Sequence, residues 1–389
     1  MTVLPLLALL LAPATPIQLG ADRILQEPYF SWIQGQRIGL ITNHTGVTAQ
    51  MESLADLLEG HPGVDLVALF APEHGLLGQA QAGEKIAGEA SRYSLFSSIR
   101  APTAKMLEGV DVLVFDVQDV GVRFYTYIST LYECMKAAGL HGVPLLVLDR
   151  PNPIDATRVE GPLLEPGQES FVGVHPIALR HGMTVGELGR LFNVEAELGC
   201  DLKIVPLRGW KRSQWYDQTG LQWIMPSPNM PTLATAIVYP GLCLIEGTNL
   251  SEGRGSTRPF ELIGAPWLKS AQLAQKLNLL GLEGVRFRPQ AFRPTFSKFA
   301  GESCRGIQIH VLDRHSFDPI RTVLHLLQQL IRMHPKEFEF KNDMFDRLSG
   351  SPAIREGLEQ GRSAHEILSG WQKDLTFFRE TRARFLLYD

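Results

Sequence analysis

Four short apolar runs, residues 37–42, 64–70, 110–117 and 143–149, are rich in Val, Ile and Leu and do not alternate with polar residues. A strand with one wet face alternates with period two, whereas a strand covered on both faces reads as a continuous apolar run. Such runs require a parallel sheet with helices packed on either side. The intervening stretches 50–58, 103–107 and 126–139 carry helical patterns, and in the last of them Tyr127, Leu131, Cys134, Met135 and Ala138 fall near one face. Strand alternating with helix predicts an α/β, Rossmann-like doubly wound sheet.

Each run stops at a polar tip. The tips are Asn43-His44-Thr45-Gly46, Pro72-Glu73-His74-Gly75, Asp116 to Gly121, and Asp149-Arg150-Pro151-Asn152-Pro153. In an open parallel sheet these segments converge at the carboxyl edge, where ligands bind. Glu73 is the most suggestive of them, a carboxylate beside an imidazole immediately before a glycine turn.

Further along, Thr184 to Glu187 has the form of a capping box opening a helix, and 201–207 reads as another strand. Residues 225–231 contain three prolines and are expected to form an irregular pocket wall or crossing between domains. Then come a strand at 242–246, a glycine-punctuated polar loop at 248–256, a helix at 270–280, strands at 285–288 and 306–312, a helix at 319–333 and a helical tail. The expected organisation is a Rossmann-like domain over 20–235, a smaller α/β domain over 236–389, and an active cleft between them.

The chain has 389 residues, 44% of them apolar, and can bury a large core; its formal net charge of −4 provides no basic field for nucleic acid. Cys134, Cys200, Cys243 and Cys304 show no C-x-x-C or zinc-type spacing and read as separate thiols, with one or two disulfides as the alternative. Residues 1–15 combine a short apolar stretch with Ala12-Pro13-Ala14 and read as a secretory signal peptide, which implies a secreted or periplasmic protein. Nothing else is long and apolar enough for an integral membrane anchor.

The tips contain no G-x-G-x-x-G or G-x-x-x-x-G-K-[ST] turn, so no nucleotide cofactor is signalled. They hold carboxylates, amides and guanidiniums instead: Glu73, Asp116, Asp119, Asp149, Arg123 and Arg150, joined from the later loop by Glu246, Asn249, Glu252, Arg254 and Arg258. Two carboxylates facing one cleft are what glycoside hydrolysis requires, one giving a proton to the leaving oxygen and the other acting as base, nucleophile or stabiliser. Guanidiniums nearby suit an acidic sugar substituent. Asp116 and Asp119 are open to three roles: metal ligands, acceptors of substrate hydroxyls, or partners of Arg123. Tyr125, Tyr127, Trp215 and Trp223 are either stacking platforms or core.

The runs G-L-I-T-N-H-T-G (39–46), F-A-P-E-H-G-L-x-G (70–78), F-D-V-Q-D-V-G-V-R-F-Y-T-Y (115–127), L-D-R-P-N-P (148–153), E-G-P (160–162), S-P-N-M-P (227–231), Y-P-G (239–241) and E-G-T-N-L-S-E-G-R-G (246–255) together resemble the exo-β-N-acetylmuramidase family, from Gly20 to the C-terminus. The resemblance implies removal of a terminal, non-reducing N-acetylmuramic acid from peptidoglycan-derived saccharides; from the motifs that are missing, neither cofactor nor metal is expected. It implies Glu73 and Glu252 as the catalytic pair with their roles interchangeable, and His74 beside them. Asn43, His44, Asp116, Asp119, Arg123, Tyr125, Arg150, Asn229, Glu246, Asn249 and Arg254 are the expected substrate-binding residues. Arg123, Arg150, Arg254 or Arg258 would clamp the lactyl carboxylate, and the substrate's own acetamide is a possible nucleophile. Two other readings stand beside this one: a metal-dependent hydrolase using His44, His74, Asp116 and Asp119, and a two-lobed periplasmic sugar-binding protein.

Overall fold

The computed structural model of the chain describes residues 16–81, 83–84, 92–96 and 98–389. The expected signal peptide at 1–15 lies outside the described residues.

Strands β1 (Arg37–Thr42), β2 (Asp65–Ala71), β3 (Arg92–Ser94), β4 (Val112–Asp116) and β5 (Leu145–Leu148) all pair in parallel. The next two, β6 (Glu160–Leu163) and β7 (Ala178–Arg180), form a small antiparallel ribbon, and β8 (Leu202–Val205) completes the main sheet in the order β3-β2-β1-β4-β5-β8. This is the doubly wound arrangement, with its reversal of strand order between β1 and β4. β4 and β5 are buried at every position and β1 at all but its first, as expected of strands covered on both faces.

Helices start where side chains satisfy the free N–H groups of the first turn. The Ser53 hydroxyl accepts from Asp56 N–H, so the predicted helix at 50–58 begins later, at Leu54–Glu59. The Thr184–Glu187 capping box opens helix Val185–Glu195 as expected. One assignment is corrected: residues 242–246 are not a strand but the last turn of helix Leu233–Leu242 and the 3-10 turn Cys243–Gly247. A short buried apolar run does not distinguish strand from buried helix by periodicity, and here the Thr232 cap at the helix start decides it.

The C-terminal unit holds an antiparallel sheet of β9 (Leu262–Ala265), β10 (Val285–Phe292) and β11 (Cys304–Val311), ordered β10-β11-β9. Pro289 is tolerated because β10 is an edge strand. Helix Pro319–Met333 is capped by Asp318 and buries Val323, Leu324, Leu326, Leu327 and Leu330, each contributing roughly 1.5–3 kcal/mol by burial. One apolar cluster runs through both units, from Ile41 and Phe115 to Ile307 and Leu327. The chain end then returns to the first unit, where the Tyr388 hydroxyl donates to Asp149 at 2.6 Å and Arg212 N–H donates to the Asp389 carbonyl at 2.9 Å. All four cysteines are buried and unpaired.

Candidate active site

The end of β2 is a sharp reversal. His74 (φ 72°) and Gly75 (φ 76°) are both left-handed, a conformation that costs a non-glycine residue and concentrates at functional sites. The reversal leaves Glu73 on the wall of a cavity of about 260 Å³ between the two units, only 8% exposed. Its Oε2 accepts from the Thr126 hydroxyl at 2.5 Å, and its Oε1 from Gly83 N–H at 3.0 Å. Thr126 stands just before helix Tyr127–His141, so β2 and the tip after β4 meet at this carboxylate.

His74 also lines the cavity, and its Nδ1 donates to the Ala80 carbonyl at 2.7 Å. Burial lowers its pKa despite the opposing charge of Glu73, so the ring is neutral near pH 7 and Nε2 carries the lone pair. It can accept a hydrogen bond from a hydroxyl or water.

The facing wall comes from the C-terminal unit. Arg254 Nη2 bonds Glu246 Oε1 at 2.7 Å, and both side chains line the cavity. Burial alone would lower the Arg254 pKa, but Glu246, Tyr239 and Glu252 more than reverse this and hold it charged. Glu252 is not on the cavity wall. It is 2% exposed, 3.5 Å from Arg254 Nε and 3.1 Å from Lys298 Nζ, the latter an ionic contact poorly angled for a hydrogen bond. Lys298 also donates to the Ile245, Glu246 and Leu250 carbonyls. Glu252 thus supports Arg254 from behind. Lys298 was missed in sequence reading because nothing near it in the chain signals a site; the positive φ of Ser297 and Phe299 on either side is visible only in three dimensions.

Among the remaining predicted residues, Tyr125 and Asn229 line the cavity. The Tyr125 hydroxyl, close to Ser227, forms no aligned hydrogen bond among the described residues, and burial raises its pKa. Asn229 donates to Gln81 Oε1 at 3.0 Å. Asn43 and His44 lie across His74, lining an adjoining hollow, and are bonded to Tyr127 and the Met225 carbonyl respectively. The aromatic walls Phe96, Phe124, Phe171, Tyr239 and Phe260 went unrecognised, since nothing local distinguishes them from core. Of the predicted stacking residues, Tyr127 and Trp215 are buried in the core and Trp223 packs edge-on to Tyr216.

Several expected binders are structural. Arg123 is 1% exposed and donates to the carbonyls of Pro162, Ile177, Leu348 and Ser349, and burial pushes its pKa down to about 9. Arg150 pairs with Asp116 through Nε at 2.6 Å and Nη2 at 2.8 Å, so Asp116 is the partner of Arg150 and not of Arg123. Asp119 Oδ2 accepts from Gly121 N–H at 2.7 Å, and burial pushes its carboxyl up to about 7. Asn249 bonds the Glu337 carbonyl and Glu339 N–H, away from the cavity, and Arg258 is half exposed on Glu261. His44, His74, Asp116 and Asp119 are each bonded to a different partner, and among the described residues no group of three His, Cys, Asp or Glu is spaced to hold a metal ion.

A doubly wound sheet with a second α/β unit, enclosing a small cavity lined by two glutamates, two arginines and aromatic rings, has the paired carboxylates that a glycoside hydrolase requires. Residues 38–234 match the profile described as exo-beta-N-acetylmuramidase NamZ, N-terminal, and residues 237–388 match its C-terminal counterpart. The chain therefore belongs to the exo-beta-N-acetylmuramidase family. It is 47% identical over 379 residues to the peptidoglycan beta-N-acetylmuramidase NamZ of Bacillus subtilis (strain 168), covering 96% of this chain and 91% of that protein. Two crystal structures of DUF1343 family proteins from Bacteroides fragilis share the fold. One has TM-score 0.89 and 38% identity, covering 97% of this chain and 100% of that one. The other has TM-score 0.78 and 29% identity, covering 96% and 99%.

Proposed function

We propose that the protein hydrolyses the terminal, non-reducing β-N-acetylmuramic acid residue of peptidoglycan fragments, with Glu73 as the acid/base group. The observation that carries this reading is the Glu73 carboxylate on the cavity wall, held by Thr126. A threonine hydroxyl donates to a carboxylate and accepts from a carboxylic acid, so this contact accommodates both protonation states that an acid/base cycle visits. The cavity, about 260 Å³, lies below the roughly 300–1,000 Å³ range of drug-sized ligand sites. That size suits one sugar unit, and the adjoining hollow of about 890 Å³, which shares His74, leaves room for the rest of the saccharide.

In this reading Glu246 is the carboxylate that meets substrate opposite Glu73, and Glu252 acts through Arg254. The His74 Nε2 lone pair accepts from a sugar hydroxyl or from water. The site would be used outside the cytoplasm, where wall fragments arise, and N-terminal sequencing of the exported protein tests that placement.

The reaction is tested with a chromogenic β-N-acetylmuramide and the matching N-acetylglucosaminide. Release is expected from the first, and Glu73→Gln should reduce kcat by about 10²-fold or more. Near wild-type turnover by that variant would remove Glu73 from the mechanism.

A further inference from the structure

The lactyl ether of N-acetylmuramic acid carries a carboxylate, and a site that selects this sugar needs a cation free to meet it. Arg254 does not qualify, because Glu246 at 2.7 Å and Glu252 at 3.5 Å already hold it. A second anion arriving there would face Glu246. Arg123, Arg150 and Arg258 are engaged elsewhere, as described above. One other arginine lines the cavity. Arg100 is exposed at its edge, with its guanidinium carbon 4.4 Å from the centroid of the Phe171 ring and no carboxylate partner among the described residues. Phe171 comes from the loop joining β6 to β7 and packs against Phe96 at 5.9 Å between ring centroids. An aromatic face under a guanidinium holds its plane without using its N–H donors, which remain available for a bidentate carboxylate.

We infer that Arg100, seated on Phe171, is the specificity-determining residue that recognises the lactyl carboxylate. This rests on the muramidase reading above. It also gives the Phe96–Phe171 pair a role as the platform that orients the cation, and it predicts that a substrate whose carboxylate is masked loses this contact.

The test compares a chromogenic β-N-acetylmuramide with its lactyl methyl ester, using wild type, Arg100→Ala, Arg100→Lys and Phe171→Leu. Wild type should prefer the acid through a lower KM, and added salt should weaken that preference. Arg100→Ala should raise KM for the acid by about tenfold or more with little change in kcat, leaving the ester almost unaffected. Arg100→Lys should recover part of the loss, and Phe171→Leu should show a weaker form of it. Turnover of the ester by each variant reports that the protein is folded. An unchanged acid-to-ester ratio in Arg100→Ala overturns the assignment while leaving the muramidase reading intact. Failure of wild type to cleave either compound overturns both.

Discussion

Asp119 tests most directly the division between cavity and interior. It lies at the tip after β4, 5% exposed, with one oxygen accepting from Gly121 N–H and the other unpartnered among the described residues. The nearest histidine, His181, keeps its Nε2 3.9 Å away, and its Nδ1 accepts from Met183 N–H. Burial raises the Asp119 pKa from 3.8 to about 7, only partly offset by the N–H groups of Gly121 and Val120. The folded protein therefore binds this proton more tightly than the unfolded chain does. The stabilisation is complete below the unfolded pKa and is lost as pH rises toward the folded one, at about 1.4 kcal/mol per pH unit. The gap of about three units corresponds to roughly 4 kcal/mol in all.

Asp119→Asn removes this titration and retains an oxygen for Gly121. Urea unfolding of both proteins at pH 4.5, 5.5, 6.5 and 8 should show the stability of wild type relative to the variant falling by about 3 kcal/mol across the series, most of it below pH 7. Turnover should stay close to wild type, because the side chain does not line the cavity. A stability difference that is flat with pH would refute the burial argument, and a large loss of turnover would return Asp119 to the site.

The buried Arg150–Asp116 pair should cost about 3–5 kcal/mol when one partner is removed, as in Asp116→Ala, measured by denaturant unfolding, since the other charge is left without compensation. Thr126→Val removes the hydroxyl that holds the Glu73 carboxylate in place, so kcat should fall by about tenfold, while denaturant unfolding shows that the fold is retained. Glu252→Gln should lower kcat/KM less than Glu73→Gln, because it acts only through Arg254, and kinetics of the two variants side by side will show the order.

The runs that became β1, β2, β4 and β5 were legible because a strand buried on both faces leaves a local signature of unbroken apolar residues. The capping box at Thr184 was legible for the same reason: both partners lie within four residues of one another. Residues 242–246 were not, since four apolar residues followed by Glu246 fit a buried helix end as well as a strand. The short edge strand β3 and the β6–β7 ribbon also gave no signal, being three or four residues long.

The chain by itself determined that polar tips follow buried strands, that Glu73 sits at such a tip, and that the ordered motifs are those of one hydrolase family. Which charges face the cavity was decided only by tertiary structure. Arg123 is sequestered by carbonyls that include Ser349, 226 positions away, and Asp116 is claimed by Arg150, 34 positions away. Glu252 and Glu246 lie six residues apart, yet one turns inward to Lys298 and the other lines the cavity. A charged side chain looks the same in sequence whether it meets substrate or a buried counter-charge. The energy that separates those fates comes from desolvation and pairing with distant residues, and the folded chain alone brings those together.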